Sequence, residues 1–233
     1  MLGPYRGRVA TSITIGIENE EKTCALSREW IQKGFRILKI KGGIDWEADV
    51  ARLRKVRELV GKDVVIRFDA NQGYDLNAAI KFSMAVVDVN IEFIEQPTPK
   101  HERSSLSELS RLGICVMADE ALLTFDDAYQ LHHVHGVDRM NVKLMKVGGV
   151  LPSQSILGWA EEKKIKVMLG CMDESALSIS AALAVALSEP SVSYVDLDGH
   201  IGLLGDPFSE CVRLDNGDLI PNDAPGLGYE LEK

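Results

Sequence analysis

The sequence predicts a single-domain α/β chain, a (β/α)8 TIM barrel, on three observations. Short apolar runs recur along its 233 residues, amphipathic segments lie between them, and charged residues close the runs at near-regular intervals. Continuous β-branched runs are expected of parallel strands buried on both faces, and their alternation with helices gives a parallel α/β fold.

The runs are Ser12–Ile17, Phe35–Ile40, Val64–Phe68, Ile91–Ile94, Ile114–Ala118, Arg139–Val142, Lys166–Leu169 and Ser193–Val195, the eight that close a barrel. Between them, Trp46, Val50, Leu53, Val56 and Leu59 recur in steps of three and four before Gly61, which stops the helix. Leu76, Ile80 and Val87 follow Asp75, an N-cap residue. The most apolar run, Ala176 to Leu187, has 12 residues, too few for a bilayer, and reads as a buried helix.

A doubly wound open sheet is the competing architecture. Lys41, Asp69, Glu95, Asp119, Lys143, Cys171 and Asp196 each end or follow a run, at separations of 24 to 28 residues, about one β/α unit. Barrel strands converge at their C-terminal ends, so such residues become neighbours, whereas an open sheet would spread them along a line. The charges therefore favour the barrel. It is expected over residues 1–205. Residues 206–233, rich in Pro, Gly, Asn and Asp and without helical period, are expected to wrap it as an extension.

A net charge of -9 argues against a nucleic-acid partner. The N-terminal MLGPYRGRVA has no apolar h-region, so neither a signal peptide nor a membrane partner is expected. Cys24, Cys115, Cys171 and Cys211 form no CxxC pair and read as reduced thiols of a cytoplasmic protein.

Four groups of residues carry chemistry. In Leu38-Lys39-Ile40-Lys41, alternation puts Lys39 and Lys41 on one face. Burial and mutual repulsion both favour a neutral lysine, the form a base requires. Two solvated lysines on an edge strand are the plainer alternative. Asp69, Glu95 and Asp119 each close an apolar run, where an ionised group is costly unless paired or bound to metal. Three carboxylates suit Mg²⁺ or Mn²⁺, and zinc less, since no His or Cys joins them. Each acid taken alone would read as a helix cap.

Lys143, in Asn141-Val142-Lys143, ends the sixth run, across a barrel from Lys41, an arrangement suited to stereochemical inversion. Lys146 reads as a solvated loop residue. Asp196 and Asp198 share a face after the eighth run, where they suit a substrate ammonium group, or simply form an Asp-Gly turn. His132, His133 and His135 read as helix C-terminal histidines, and Asp173 and Glu174 as acids at a helix start.

Together KxK (Lys39, Lys41), DANQ (Asp69–Gln72), EQP (Glu95–Pro97), ADE (Ala118–Glu120) and NVKLMKVGG resemble the enolase superfamily, in its muconate-lactonising subgroup, from about Thr11 to the tail. The DxD of Asp196 and Asp198 is most similar to the dipeptide epimerases, and Gly170-Cys171-Met172 stands where the mandelate racemase subgroup would place a histidine.

The resemblance implies Asp69, Glu95 and Asp119 as Mg²⁺ ligands, Lys41 and Lys143 as acid/bases, and Lys39 as the residue tuning Lys41. Asp196 and Asp198 would bind a dipeptide's α-ammonium. The implied reaction is epimerisation through an enediolate. A cycloisomerase or o-succinylbenzoate synthase would use the same lysines and metal. The superfamily also carries an N-terminal α+β capping domain, which this chain is expected to lack. The site would then be wetter, and exposed apolar surface would favour homo-oligomers. A cap-less, metal-binding barrel with little activity is the non-enzymatic alternative.

Overall fold

The computed structural model describes residues 2, 3 and 5–229. The remaining positions, Met1, Pro4 and residues 230–233, belong to the ends of the two expected segments and lie outside the described residues. Strands β1 (Val9–Ala10), β2 (Ile13–Ile15), β3 (Ile37–Lys41), β4 (Val65–Asp69), β5 (Ile94–Glu95), β6 (Val116–Met117), β7 (Arg139–Lys143), β8 (Lys166–Gly170), β9 (Val192–Asp196), β10 (Val212–Asp215) and β11 (Asp218–Pro221) follow one another along the chain. Helices α1 (Glu20–Gln32), α2 (Trp46–Val60), α3 (Leu76–Ala85), α4 (Arg103–Arg111), α5 (Phe125–His133), α6 (Leu144–Val147), α7 (Val150–Lys163) and α8 (Ala176–Ser188) stand between them. Each of the eight short apolar runs contains or overlaps one of strands β2 to β9.

Local chemistry sets the helix ends. Asp45 opens α2 by accepting from the Glu47 and Ala48 amides, and Gly61 closes it with a left-handed φ of 74°. Asp75 opens α3 by accepting from Ala78 N, as its position predicts. Thr124 and Asp127 form a reciprocal capping box on α5. The apolar run 176–187 is indeed a helix, with Ala176, Ile179, Ala182, Leu183, Val185 and Ala186 buried.

The chain divides into two compact units. In the unit Ile13–Met140, strands β2-β3-β4-β5-β6 form one sheet in sequence order, with parallel neighbours. A parallel bridge pairs Ala118 with Met140. Ile40 and Phe68 are fully buried, and the Phe68 ring stacks on Phe82 of α3 at 4.4 Å. The register sets Lys41 beside Asp69, and Asp69 beside Glu95.

The other unit comprises residues 1–12 and 141–233. Its β7-β8-β9 sheet pairs Gly170 with Asp196, and Ser12 N donates to Val195 O at 3.1 Å. After β9 comes a 3-10 turn, Ser209–Cys211, rather than an α-helix. The tail is not irregular throughout. Its β10 and β11 form an antiparallel hairpin, and β1 pairs with β11 to complete a second sheet. The connection is Asn216-Gly217, both left-handed (φ 52° and 84°), as a two-residue type I′ turn requires. Among the described residues no helix is long and apolar enough to cross a membrane.

Candidate active site

The two lysines of β3 have different fates. Lys39 is 2% exposed, and its ammonium lies 3.1 Å from Asp69 Oδ2 and 2.9 Å from Glu95 Oε2. Its charge is therefore met by two carboxylates rather than turned on Lys41. Lys41 keeps 35% of its side chain exposed, donates to Asn71 Oδ1 at 2.9 Å and stands 3.9 Å from Asp69 Oδ2. Asn71 has a left-handed φ of 43°, and its amide donates to Asp69 Oδ1 at 2.9 Å. One short turn thus links the half-exposed lysine to the buried acid.

Asp69, Glu95 and Asp119 are 1%, 0% and 1% exposed. Asp69 and Glu95 end adjacent strands in register, and Asp119 stands two residues beyond Met117, the register partner of Glu95. Among the described residues no three His, Cys, Asp or Glu side chains already form a ready metal shell. Lys39 stands among the Asp69 and Glu95 oxygens instead. The donor set nevertheless fits a hard divalent cation. It consists of carboxylate oxygens only, and three buried carboxylates outnumber the buried ammonium of Lys39. The same negative field is visible at Glu120, whose carboxyl is pushed above the usual range by burial and then by the charges of Asp119 and Asp69.

Gln96 holds this region together. It is fully buried with a left-handed φ of 33°, and its Oε1 accepts from the amides of Asp119 at 2.9 Å and Ala121 at 3.2 Å. Its Nε2 donates to Thr98 O at 2.9 Å. The loop after β5 thereby fixes the loop that carries Asp119.

In the other unit, Lys143 ends β7 and is 7% exposed. On the same strand face, Asn141 lies against Gly170, where an added Cβ would meet its Oδ1 at 2.4 Å. Lys146 is not a solvated loop residue. The chain turns into the short α6 immediately after β7, which brings the half-buried Lys146 back to donate to Asn141 O at 3.0 Å.

Asp196 ends β9, 3% exposed, and accepts from Ser12 Oγ at 2.5 Å. Asp198 accepts from the Cys171 thiol at 3.9 Å, and Gly199 N donates to the same sulfur at 3.3 Å. Burial, reinforced by the charges of Asp196 and Asp198, pushes the Cys171 thiol well above its usual pKa, so it stays protonated as a donor. Glu174 turns back onto its own loop, accepting from Met172 N at 2.8 Å and from Ser178 Oγ. His132 and His133 end α5, and His135 follows it.

Sequence reasoning gave no role to Gln96 and Asn71, although both lie in its motifs, and overlooked a buried pair on α2, Asp49 and Arg52. The signal for the pair was present: two charges three residues apart, flanking Val50 and Leu53 on the helix's apolar side.

The enolase C-terminal domain-like family matches residues 22–233. The L-Lys-D/L-Arg epimerase of Methylococcus capsulatus is 40% identical over 98% of this chain and 65% of that protein. The L-Ala-D/L-Glu epimerase of Bacillus subtilis is 33% identical over 98% and 63%. The substrate-liganded structure of the Bacillus subtilis L-Ala-D/L-Glu epimerase aligns with a TM-score of 0.93 at 32% identity, over 97% of this chain and 64% of that one. The Methylococcus capsulatus dipeptide epimerase, complexed with Mg and L-Arg-D-Lys, aligns at 0.92 and 40% identity, over 97% and 64%. The chain spans about 65% of the length of the curated relatives that it matches.

Proposed function

The chain belongs to the enolase C-terminal domain-like family, whose (β/α)8 barrel is its fold class, and we propose that it works as a Mg²⁺-dependent dipeptide epimerase. The observation that supports this most is the pairing of Lys41 with Asp69. A half-exposed amine stands 3.9 Å from a buried carboxylate suited to a divalent cation, and Asn71 contacts both residues.

Asp69, Glu95 and Asp119 would hold the cation, which when bound supplies electrostatic stabilisation to charge developing on a substrate carboxylate. Lys41 takes or returns the proton on the substrate α-carbon, oriented by its bond to Asn71 Oδ1. Lys39 fixes the Asp69 and Glu95 oxygens and tunes the charge beside Lys41. Lys143 is the second acid/base in this reading, and two such groups acting from opposite faces invert the centre. Asp196 and Asp198 receive the α-ammonium of the dipeptide, with Asp198 steadied by Cys171. Relatives at 40% and 39% identity are L-Lys-D/L-Arg epimerases, so dipeptides with cationic side chains are the first substrates to test. The four cysteines are free thiols, in keeping with a cytoplasmic setting. Exposed apolar side chains such as Ile44 and Leu204 are in keeping with self-association.

The test is proton exchange at the α-carbon in D₂O with Mg²⁺ and a dipeptide panel, followed by NMR. Exchange that depends on Mg²⁺ and is lost for one diastereomer in Lys41→Ala and for the other in Lys143→Ala supports the reading. Absence of exchange with every dipeptide, in protein shown to bind Mg²⁺, overturns it.

A further inference from the structure

A buried ionic network lies directly behind Lys41. Asp49 and Arg52, on α2, are 4% and 5% exposed and pair at 2.6 Å. Arg52 also donates to the main-chain carbonyls of Lys41 at 2.6 Å and Glu18 at 2.8 Å. Asp49 accepts from Gly43 N at 2.8 Å and from the Tyr74 hydroxyl at 2.5 Å. These partners lie in three segments: Glu18 after β2, Lys41 to Gly43 at the end of β3, and Tyr74 beyond the turn that follows Asp69.

A helix ion pair meant only for stability needs none of those backbone contacts. An i,i+3 pair on an exposed face gains a few tenths of a kcal/mol, whereas burying one carries a desolvation penalty. Here two carbonyls and an amide supply further partners to the pair, and two of the three, Lys41 O and Gly43 N, belong to the lysine's own segment. The two glycines after the lysine are tightly enclosed. Gly43 has φ +102°, and a Cβ there would fall 2.0 Å from Ala70 O; one at Gly42 would fall 2.4 Å from the Phe68 ring. Gly42 N donates to Asp69 O at 2.9 Å, which continues the pairing of the lysine segment with the neighbouring strand.

We infer that Asp49, Arg52 and Tyr74 are positioning residues that hold the Lys41 backbone in register with the Asp69–Asn71 turn, so that the amine meets the substrate α-carbon at the correct distance. This inference rests on the epimerase reading.

The test compares Tyr74→Phe, Arg52→Lys and Arg52→Met with wild type. Arg52→Lys keeps the charge but loses the planar fork that reaches three acceptors, so it should behave like Arg52→Met rather than rescue it. Tyr74→Phe keeps the ring and removes only the bond to Asp49. The expected result is a kcat lowered about ten- to hundredfold with KM within about twofold, as for a misplaced reacting group. Mg²⁺ affinity by calorimetry should stay near wild type, and Gly43 amide hydrogen exchange should quicken.

Wild-type kcat in Tyr74→Phe and Arg52→Lys, with faster Gly43 exchange, would make the network merely structural and overturn the inference. Loss of KM and kcat together with loss of Mg²⁺ binding would also overturn it, since the network would then be supporting the acids and not the lysine. Failure of wild type itself to exchange any dipeptide α-proton would instead remove the epimerase reading, and the positioning role with it.

Discussion

The ammonium of Lys39 lies 2.9 Å from Glu95 Oε2, with both side chains almost wholly withdrawn from solvent. Removing one partner of such a contact leaves a buried charge uncompensated. Lys39→Met should therefore destabilise the protein by about 3–5 kcal/mol. Denaturant titration with and without Mg²⁺ checks this, and a divalent cation should recover more stability in the variant than in wild type.

Metal addition alone should raise the melting temperature. A ligand that binds only the folded state at a hundred times its Kd adds about 2.7 kcal/mol. Glu95→Gln and Asp119→Asn should lose most of that gain, measured as the melting shift between EDTA and excess Mg²⁺.

The two lysines should be separable by stereochemistry. If each serves one face, Lys41→Met and Lys143→Met each abolish inversion. Each variant should still exchange the α-proton of one diastereomer, through the lysine that remains. The loss is expected to be about 10²- to 10⁴-fold in kcat, the range for a positioned acid or base. Residual inversion near wild-type rate in either variant would remove that lysine from the mechanism.

Asp198→Asn should weaken dipeptides carrying a free α-ammonium by about 1.5–3 kcal/mol, the size of a hydrogen bond to a charged group. Substrates with the amine acylated should be insensitive to the change. Parallel kcat/KM measurements on the two substrate sets decide it.

Cys171 gives a pH dependence of definite sign. Its thiol pKa is raised in the folded chain, by burial first and then by Asp196 and Asp198. The folded state thus retains the proton where the unfolded chain releases it, and stability falls as pH rises past the ordinary thiol value of about 8.5. Cys171→Ala should flatten that alkaline limb in denaturant titrations across the range, and iodoacetamide should modify Cys171 only on unfolding.

Much of this was legible in the sequence because it is local. Strand alternation set Lys39 and Lys41 on one face, and Asp75 and Gly61 announced their helix ends. The carboxylates of Asp69, Glu95 and Asp119 were legible through the β/α repeat that brings successive strand ends side by side. What escaped depends on partners distant in sequence or on backbone conformations with no period. The Arg52 bond to the Lys41 carbonyl is one such case, because a helical pattern records which residues are apolar and not which carbonyls lie above them. Gln96 is another, since its left-handed backbone aims an ordinary amide at Asp119. Lys146 escaped because α6 is a single turn, too short for any periodicity. The β10–β11 hairpin had a readable mark in Asn216-Gly217 but lay within a segment whose composition resembled loop.

The pairing of β1 with β11 has a bearing on biosynthesis. Arg8 lies beside Asp218, 210 residues further along the chain, at 3.5 Å. Closing so long a loop costs little more than closing one half its length, because the entropy grows only logarithmically. Timing is the greater constraint. The segment around Val9 leaves the ribosome long before its partner strand is made, at roughly 5–20 residues per second. For many seconds it is an unpaired strand edge on a nascent chain. Its brevity, two residues in the ladder, limits what it can recruit by mistake while it waits.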